Sequence, residues 1–395
     1  MPVLRGIFFQ ALIFYHAKFV LIYIAVFIKN YDIVIEDKYM ARKIVHIIGT
    51  GTVGAPLIGV LLGHLEQLGI EEISFEPNLK AIENKAFLNG LVARGAKLCV
   101  REEIADEFIS VGCKIDYTSK EAIERAGVII DCSPGDEPLK NKAEIYSRLD
   151  GEPKFFIAQS RAAGFGLDYA YGINDEALVS SEVQFVRVVS CNAHNIAAMI
   201  KTLAFDEKGE NYLDWGRFVC IRRASDISEN KPFIPAPQIS LPQDDNYGTF
   251  QALDTASLFR TIGVNLDIFS SALKVNSQYL HIVNFDLKLK RPVTLPLVIN
   301  KLESNPLIAL TNKTQSSLVF AFARDMGFLG RILNQSVVSV PSLTVKEDRE
   351  IIGFCFSPQD GNSILSSIAA TVWYFYPHSY RDKLQNLDDL IFAEV

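Results

Sequence analysis

The sequence has little cysteine, and the placement of its cysteines excludes two common kinds of site. Only six of 395 residues are cysteines, and no pair has the C-x-x-C spacing of a metal or redox motif. No cluster of cysteine and histidine indicates zinc, and the chain is too long for a disulfide scaffold with so few cysteines. The sequence therefore predicts reduced thiols, no bound metal and a cytoplasmic location.

The chain also lacks a basic excess, an internal repeat and a low-complexity linker. Its formal net charge of −7 argues against a nucleic-acid partner, because such a partner usually requires a basic face. Hydrophobic residues make up 49% and charged residues 22%, a balance typical of globular proteins. The length is sufficient for two domains, each with its own core.

Residues 1–39 differ from the rest of the chain in being strongly apolar. The run 7–28 is about as long as a membrane-spanning helix, but it contains His16 and Lys18, which are costly at bilayer depth. Because Met40 leads directly into a predicted strand, we favour translation from Met40 and an upstream extension that is not part of the working protein. A membrane anchor and a helix packed on the domain are the alternatives.

A glycine-rich turn lies between a predicted strand, residues 43–48, and an apolar helical run, residues 57–68. In this G-x-G-x-x-G pattern the first glycine permits the tight turn. The second lets the backbone approach a pyrophosphate, and the third lets the helix pack close to the strand. The pattern predicts an NAD-binding Rossmann domain over residues 40–185, with a ligand-free glycine turn as the alternative. The turn residues are Gly49, Thr50, Gly51, Thr52, Val53 and Gly54.

Polar residues follow several predicted strands of this domain. Glu76 lies 22 residues after Gly54, where an acid binds the ribose hydroxyls of NAD and repels the extra phosphate of NADP. A solvated charge at a strand end is the alternative for Glu76. Ser133 and Gln159 follow two further strands, at the edge where open α/β sheets bind ligands. Alternating strands and helices predict a doubly wound parallel sheet.

Cys191 stands between a strand-like apolar run, residues 183–189, and a helix-like run, residues 196–205. A cysteine in the first turn of a helix lies near unpaired backbone N–H groups and the positive end of the helix dipole. Both favour its thiolate, so we expect Cys191 to be a nucleophile. The alternative is a buried cysteine that packs as a small hydrophobic residue.

The second half of the chain predicts a catalytic domain, residues 186–349, on a mostly antiparallel sheet. Residues 265–273 and 280–289 resemble antiparallel strands, and four prolines within residues 231–242 predict an ordered loop rather than a helix. A final strand and helix in residues 350–395 are expected to return to the NAD-binding domain.

Two adjacent arginines end a predicted strand of this half. The guanidinium groups of Arg222 and Arg223 suit charge-assisted, bidentate contacts with a substrate phosphate. Pairing of one or both arginines with a carboxylate such as that of Asp226 is the alternative.

In their order, these motifs resemble the glyceraldehyde-3-phosphate dehydrogenase family, specifically its archaeal-type (type II) branch. The similarity runs from about residue 42 to residue 376. The glycine turn matches the family's NAD(P) loop, and the cysteine segment and double arginine are the most specific pieces. The matching segments are residues 49–54, 187–192, 222–226, 235–242, 271–281 and 324–327.

The resemblance implies a mechanism and partners. Cys191 would attack an aldehyde carbonyl to give a thiohemiacetal, hydride would pass to the nicotinamide, and phosphate would release the resulting thioester as an acyl phosphate. The backbone N–H of Cys191 or Asn192 would stabilise the oxyanion. NAD, or less readily NADP, would be the cofactor. An aldehyde or acyl phosphate, inorganic phosphate and further copies in a homotetramer would be the partners.

The sequence departs from the family pattern in three places. The family's proline-rich loop continues into a segment that supplies the catalytic histidine, but residues 242–246 contain no histidine. The family's Thr-Thr-Gly after the cysteine, whose hydroxyls contact phosphate, is replaced by residues 193–195, Ala-His-Asn. Glu76 and Pro77 replace the lysines that follow the second strand in the archaeal branch, which favours NAD.

His194 is the predicted replacement for the missing base, because it lies one helical turn after Cys191. A surface or capping histidine is the alternative, and His281 is a second candidate base on an apolar strand. The sequence thus predicts an NAD-dependent phosphorylating aldehyde dehydrogenase. A non-catalytic NAD-binding relative, or a dehydrogenase or reductase for another semialdehyde or acyl phosphate, stays open.

Overall fold

We describe the protein from a computed structural model, covering residues 42–151, 154–159, 162–179, 183–229, 231 and 234–395. The apolar segment of residues 1–39 and the expected start at Met40 lie outside the described residues. In the described ranges, no helix is both long and apolar enough to cross a membrane.

The first sheet has eight strands, and every pairing between neighbours is parallel. They are β1 Ile44–Ile48, β2 Glu72–Glu76, β3 Lys97–Val100, β4 Tyr117–Thr118, β5 Val128–Asp131, β6 Phe155–Gln159, β7 Leu167–Tyr169 and β8 Phe185–Val188. Their order is β4-β3-β2-β1-β5-β6-β8-β7, so the winding direction reverses between β1 and β5. Such a switch point is where open α/β sheets bind ligands.

Helices connect the strands of this sheet, as the alternating sequence pattern predicts. They are α1 Gly54–Gly63, α2 Leu65–Leu68, α3 Lys85–Ala93, α4 Ala105–Ser110, α5 Ser119–Arg125 and α6 Glu137–Glu144. Short 3-10 turns span Leu79–Asn84, Glu102–Ile104, Tyr146–Arg148 and Asp175–Val179. The predicted doubly wound parallel sheet is therefore confirmed.

The second sheet also has eight strands, and it is mixed. They are β9 Leu213–Arg223, β10 Gln238–Ser240, β11 Ile268–Val275, β12 His281–Leu289, β13 Ile308–Thr311, β14 Ser336–Ser339, β15 Thr344–Lys346 and β16 Glu350–Ser357. The order is β10-β11-β9-β12-β16-β14-β13, with β15 paired to β16. Most neighbours are antiparallel, but β11 with β9 and β13 with β14 are parallel.

The predicted strands 265–273 and 280–289 correspond to β11 and β12, which lie on either side of β9 and run in opposite directions. One expectation about this sheet needs correction. The proline-rich stretch is not loop throughout, because its residues Gln238–Ser240 form the edge strand β10, which pairs with β11. Proline is tolerated beside an edge strand, where a missing N–H breaks no ladder.

Two helices of the second half are buried on nearly all sides. Helices α7 Cys191–Ala204 and α11 Gly361–Phe375 present almost no side chain to solvent, as expected for helices at the centre of a large core. The remaining helices are α8 Phe250–Arg260, α9 Leu295–Glu303, α10 Ser316–Met326 and α12 Tyr380–Leu384, with 3-10 turns at Val340–Ser342 and Gln385–Leu390.

The C-terminal segment contacts both sheets. Strand β16 lies between β12 and β14 in the second sheet, whereas the following helix α11 contacts the first sheet. There, Gln159 Nε2 at the end of β6 donates to Ser363 O at 2.8 Å. The start of α11 therefore lies beside the ligand-binding edge of the first sheet, close to the start of α7.

Candidate active site

The glycine-rich turn between β1 and α1 has the geometry that each glycine predicts. Gly49 has a φ of +93°, in the left-handed region that favours glycine. A Cβ on Gly54 would lie 1.9 Å from Gly49 O, so only glycine lets α1 begin this close to the turn. A Cβ on Gly51 would meet nothing within 4 Å, and Gly51 is exposed. Open space at the second glycine is what a dinucleotide-binding turn of this kind leaves for a pyrophosphate.

Two alanine substitutions are expected to separate the two roles of this turn. Gly54→Ala should destabilise the fold by about 1–3 kcal/mol, because the added methyl overlaps Gly49 O. Gly51→Ala should leave the thermal unfolding temperature unchanged but weaken NAD binding about tenfold or more, since its methyl enters the ligand space. Thermal unfolding and fluorescence titration measure the two effects. Unchanged NAD affinity in Gly51→Ala would contradict a pyrophosphate site here.

Glu76 ends β2 beside the turn, where Gly49 N donates to its carbonyl oxygen at 2.8 Å. Its side chain is buried, so the alternative of a solvated strand-end charge is wrong. Arg101 Nε donates to Oε1 at 2.9 Å, and the Ser119 hydroxyl donates to Oε2. Burial raises the pKa of Glu76, but the polar and cationic neighbours outweigh burial, so the pKa is lowered. The carboxylate is therefore anionic and held in place next to the turn.

Ser133 and Gln159 lie at the same edge of the first sheet. Ser133 follows β5, and its backbone N donates to Asp131 Oδ1 at 2.9 Å. Gln159 lines a cleft, and its amide donates to Ser363 O and to the Ser367 hydroxyl on α11. The structure thus places Gln159 at the candidate site, with its amide donors already used to hold α11.

Cys191 is the first residue of α7 and faces a cleft of ≈ 190 Å³. The helix begins here because Ser190 caps it, its hydroxyl accepting from Ala193 N at 3.3 Å. The cleft brings together the glycine turn, the end of the first sheet and the starts of α7, α8 and α11. Its lining residues are Val53, Gln159, Val188, Val189, Ser190, Cys191, Asn192, Arg222, Phe250, His281, Asp360 and Ser363.

The environment of Cys191 differs from our expectation of a lowered pKa. Burial and the nearby charge of Asp360 raise the pKa of the Cys191 thiol well above its ordinary value. The positive charges of Arg223 and Arg222 act in the opposite direction without reversing it. The thiol is therefore protonated at neutral pH, and a nucleophilic role requires a group that removes its proton.

His281 is the histidine that lies against Cys191. Its Nδ1 is 3.5 Å from Cys191 Sγ and 3.1 Å from Asn192 Oδ1. Burial, assisted by the charge of Arg223, lowers the pKa of His281 to about 3, so the imidazole is neutral. A neutral imidazole in contact with a protonated thiol is an arrangement suited to general base catalysis.

A chain of buried hydrogen bonds holds Asn192 in one orientation against His281. Cys355 Sγ donates to Asn195 Oδ1 at 3.1 Å, and Asn195 Nδ2 donates to Ser357 Oγ at 3.0 Å. Ser357 Oγ in turn donates to Asn192 Oδ1 at 3.0 Å. The same ring nitrogen of His281 faces both Asn192 Oδ1 and Cys191 Sγ. It can accept the thiol proton only in the Nε2–H tautomer, in which Nδ1 donates to neither atom.

The structure does not bring His194 to this site. Its side chain is fully buried in α7, with Nδ1 3.0 Å from Ser190 O and Nε2 2.8 Å from Ser366 Oγ. Both ring nitrogens are thus engaged in the core, so the expected role of His194 as the base and its surface alternative are both corrected. Residues one turn apart do share a helix face, but that face packs on α11, and Cys191 faces the cleft.

The free energy of unfolding is expected to fall as the pH drops from about 6.5 to about 4. The unfolded chain protonates His194 near pH 6.5, whereas burial lowers the folded pKa to about 4, so the folded protein binds fewer protons in that window. The part of this loss that His194 contributes is about 3 kcal/mol at most. Urea unfolding at several pH values measures it, and His194→Gln should flatten the decline. An unchanged slope in that variant would contradict a buried neutral imidazole.

The two adjacent arginines have different surroundings. Arg222 lines the cleft, and its guanidinium lies 5.6 Å from the centre of the Phe250 ring. Arg223 is buried, and its Nη2 is 2.7 Å from Asp360 Oδ2 and 3.1 Å from Asp226 Oδ2. The alternative of carboxylate pairing therefore holds for Arg223, whereas Arg222 lines the cleft.

No profile of a known protein family matches the chain, but individual relatives do. The glyceraldehyde-3-phosphate dehydrogenase of Metallosphaera sedula is 27% identical over 304 residues, which cover 75% of this chain and 83% of that protein. The protein of the same name from Hyperthermus butylicus is 26% identical over 317 residues, 78% and 84% of the two chains. That from Pyrococcus furiosus is 26% identical over 255 residues, 63% and 70%. The chain is thus similar to archaeal glyceraldehyde-3-phosphate dehydrogenases, at 26–27% identity to these three.

The structure shows what stands where the archaeal-type dehydrogenases would carry their loop histidine. Residues 244–248 form a tight turn in which Asp244 Oδ1 accepts from Asn246 N at 2.8 Å and Tyr247 N at 2.9 Å. Gly248, with a φ of +73°, then leads into α8. A carboxylate therefore closes this turn, and the histidine that lines the cleft lies on β12.

Sequence reasoning missed three cleft residues, namely Phe250, Asp360 and Ser363. Each stands at or near the start of a helix far from Cys191 in sequence, so nothing in its local sequence placed it near Cys191. Asp360 carries the one detectable signal, because an acid directly before a glycine and a long apolar run is typical of a helix start.

Proposed function

We propose that the protein oxidises an aldehyde with a nicotinamide dinucleotide, through a thioester on Cys191 and with His281 as general base. The proposal rests on the distance of 3.5 Å between Cys191 Sγ and His281 Nδ1, which both line the cleft at the start of α7. A nucleophile in contact with a base beside a dinucleotide turn is the arrangement that thioester dehydrogenation requires.

The thiol and the imidazole act together in the first step. The Cys191 pKa is raised and the His281 pKa is lowered, so a free thiolate would be scarce. The proton therefore leaves sulfur as the S–C bond to the aldehyde carbon forms, and it reaches the carbonyl oxygen to give a thiohemiacetal. The amide groups of Cys191 and Asn192 open α7, where the helix supplies them no partner, and they stabilise the developing oxyanion.

The next step requires a hydride acceptor, which a bound nicotinamide supplies. The space above Gly51 fits the pyrophosphate of such a cofactor, and Val53 at the end of the same turn lines the cleft with Cys191. The turn thus directs the cofactor towards the sulfur. His281 takes the hydroxyl proton of the thiohemiacetal as its C–H hydride departs, and a thioester remains on Cys191.

We propose NAD rather than NADP as the preferred cofactor, because Glu76 is anionic and fixed at the end of β2. NAD is expected to bind about tenfold or more tightly than NADP, since an extra phosphate would lie against this carboxylate. Glu76→Ala should raise NADP affinity, because it leaves Arg101 without its carboxylate partner. Fluorescence titration with both cofactors measures the ratio. Equal affinities in the native protein would show that Glu76 does not select.

The substrate that the cleft favours is a short aldehyde with one anionic group. Arg222 supplies a positive charge at the cleft wall, and Phe250 and Val188 supply apolar surface. A phosphate or carboxylate on the substrate would bind Arg222, which places the aldehyde carbon towards Cys191. The hydroxyl residues that contact phosphate in the resembled family are replaced here, so the substrate need not be the triose phosphate.

A rapid-mixing experiment with purified protein, NAD and a panel of short aldehydes tests the proposal. It should show a burst of reduced nicotinamide equal to one per Cys191, together with an acyl adduct on the Cys191 peptide by mass spectrometry. The panel includes glyceraldehyde 3-phosphate and its unphosphorylated counterpart. Tight NAD binding without a burst from any aldehyde would favour the non-catalytic relative. Homotetramer formation and a cytoplasmic location stay predictions from the sequence.

A further inference from the structure

The base of the proposed reaction lies between two groups that compete for one ring nitrogen. Nδ1 of His281 is 3.5 Å from Cys191 Sγ and 3.1 Å from Asn192 Oδ1. To take the thiol proton, Nδ1 must first carry none, and it then faces the amide oxygen as one acceptor faces another. The contact with Asn192 becomes a hydrogen bond only once Nδ1 is protonated. The geometry therefore favours the state of the site in which the proton has moved to nitrogen.

The amide oxygen of Asn192, rather than its NH₂ group, faces the ring because of the groups behind it. Ser357 lies opposite His281 on β16, and its hydroxyl donates to Asn192 Oδ1 at 3.0 Å. The same hydroxyl oxygen accepts from Asn195 Nδ2 at 3.0 Å, so its proton is directed away from Asn195. A rotated Asn192 amide would turn its NH₂ group towards both that proton and the ring. The asparagines and the serine are buried, so solvent does not replace a lost partner.

Charges from two neighbouring elements act on the ring of His281. Arg222 and Arg223 on β9 oppose a positive charge there, whereas Asp360, directly before α11, favours one. Burial has the largest effect, and together these influences lower the pKa of His281 to about 3. Arg223 and Asp360 also pair with each other at 2.7 Å, so their opposite effects partly cancel. The neighbours on α7 and β16 are the uncharged groups named above. A base this weak depends on a local acceptor to stabilise the proton that it takes.

We propose that Asn192 is a positioning residue for the base, and that its amide oxygen accepts from the Nδ1–H that His281 gains from Cys191. The inference rests on the proposed function. The S–H bond breaks as the N–H bond forms, and Asn192 stabilises the imidazolium while the sulfur attacks the aldehyde carbon. The proton then passes from Nδ1 to the carbonyl oxygen to complete the thiohemiacetal. A hydrogen bond from a charged donor is about twice as strong as one from a neutral donor, so the amide favours the protonated ring over either neutral tautomer.

The rate at which iodoacetamide alkylates Cys191 in the full chain tests the inference without aldehyde or cofactor. Proton transfer from Cys191 to His281 changes no net charge, so the ion pair should give a rate that is independent of pH around neutrality. Hydroxide adds a rising limb at high pH, where it removes the thiol proton directly. Asn192→Ala should lower the pH-independent rate about tenfold and leave the hydroxide limb unchanged. Equal rates of the two proteins near neutral pH, or an equal change of both limbs, would overturn the inference.

A double-mutant cycle shows whether Asn192 acts through His281. In the His281→Ala background, Asn192→Ala should lower the pH-independent rate by less than about twofold further, because the acceptor has lost its donor. Ser357→Ala frees the amide to rotate and should lower the same rate in the native background, so the test does not depend on the folding of one variant. Asn334→Ala is the matched control, since this buried amide bonds the backbone of Phe392 and does not line the cleft. Additive losses in the double variant would contradict the inference.

The burst of reduced nicotinamide separates this inference from the proposed function. A native burst together with an unchanged alkylation profile in Asn192→Ala would overturn the inference and leave the thioester route intact. A lowered pH-independent rate in Asn192→Ala, with no burst from any aldehyde in the native protein, would support the ion pair but remove the dehydrogenase.

Discussion

Replacing Cys191 with alanine is expected to lower steady-state aldehyde oxidation by at least about 1,000-fold and to abolish the burst. The reason is chemical, because no other group within the described cleft can form a thioester. Alanine is tolerated at this position in structural terms, since the side chain sits at the first turn of α7 and its removal leaves the Ser190 cap in place. Stopped-flow absorbance and mass spectrometry of the Cys191 peptide measure the loss.

Cys113→Ser is the matched control for that variant. Cys113 is buried near the end of α4 and does not line the cleft, so its replacement should leave turnover per folded molecule unchanged. NAD affinity should be retained in both variants, because neither residue belongs to the glycine turn. A Cys191→Ala protein that still turns over would exclude the thioester route. The oxidation would then have to proceed by direct hydride loss from the hydrated aldehyde.

His281→Ala is expected to lower kcat about 100- to 10,000-fold, the usual contribution of a positioned general base. With the imidazole gone, no group removes the proton from a thiol whose pKa burial has raised, so the burst itself becomes slow. Raising the pH should partly restore the burst rate, because hydroxide then supplies the thiolate. Single-turnover kinetics as a function of pH measure both effects.

The same experiment with His194→Ala distinguishes the two histidines. His194 hydrogen-bonds Ser190 and Ser366 inside the core, so its loss should lower the unfolding temperature while leaving kcat of the folded protein nearly unchanged. If His194→Ala is folded but inactive and His281→Ala is active, the general base is His194 on α7, and the assignment of His281 as the base is wrong.

Local sequence was sufficient to predict the dinucleotide turn. A side chain at Gly54 would overlap Gly49 O, which is close in sequence, and a side chain at Gly49 would also meet Cys132 after the neighbouring strand. The need for glycine is therefore mostly local, and the strand–turn–helix pattern is sufficient to predict it. The same holds for Cys191, which the change from strand-like to helix-like pattern placed at a helix start. The structure moves that start to Cys191 itself, five residues before the apolar run, because Ser190 caps it.

The partner of Cys191 was not accessible to the same reasoning. His281 is 90 residues away in sequence, and it reaches the sulfur because β12 pairs with β16 in the register that sets His281 opposite Ser357. Strand register depends on the whole sheet, not on the residues that flank one histidine. Helical spacing favoured His194 instead, and only the burial of α7 on nearly all sides shows why that spacing misleads.

The two arginines show an intermediate case. Successive residues of a strand point to opposite faces, so Arg222 and Arg223 were bound to differ once the strand was assigned. The alternation of side chains along the strand did not show which of the two arginines faces the cleft. That choice follows from the two acids around Arg223, which only the tertiary structure brings together. One lies three residues later, and the other, Asp360, directly precedes α11.

Arg331 connects the glycine turn to the buried ion pairs of Arg223 with Asp226 and Asp360. Its Nη2 donates to Thr52 O in the turn at 2.9 Å, and the same atom lies 3.3 Å from Asp226 Oδ2 in the cluster that holds Arg223. We therefore expect dinucleotide binding at the turn and aldehyde binding at Cys191 to be thermodynamically linked through this guanidinium. Linkage is reciprocal: if a bound dinucleotide changes the affinity for aldehyde by some factor, bound aldehyde changes the affinity for the dinucleotide by the same factor. The order in which the two ligands are added to the protein cannot change that factor.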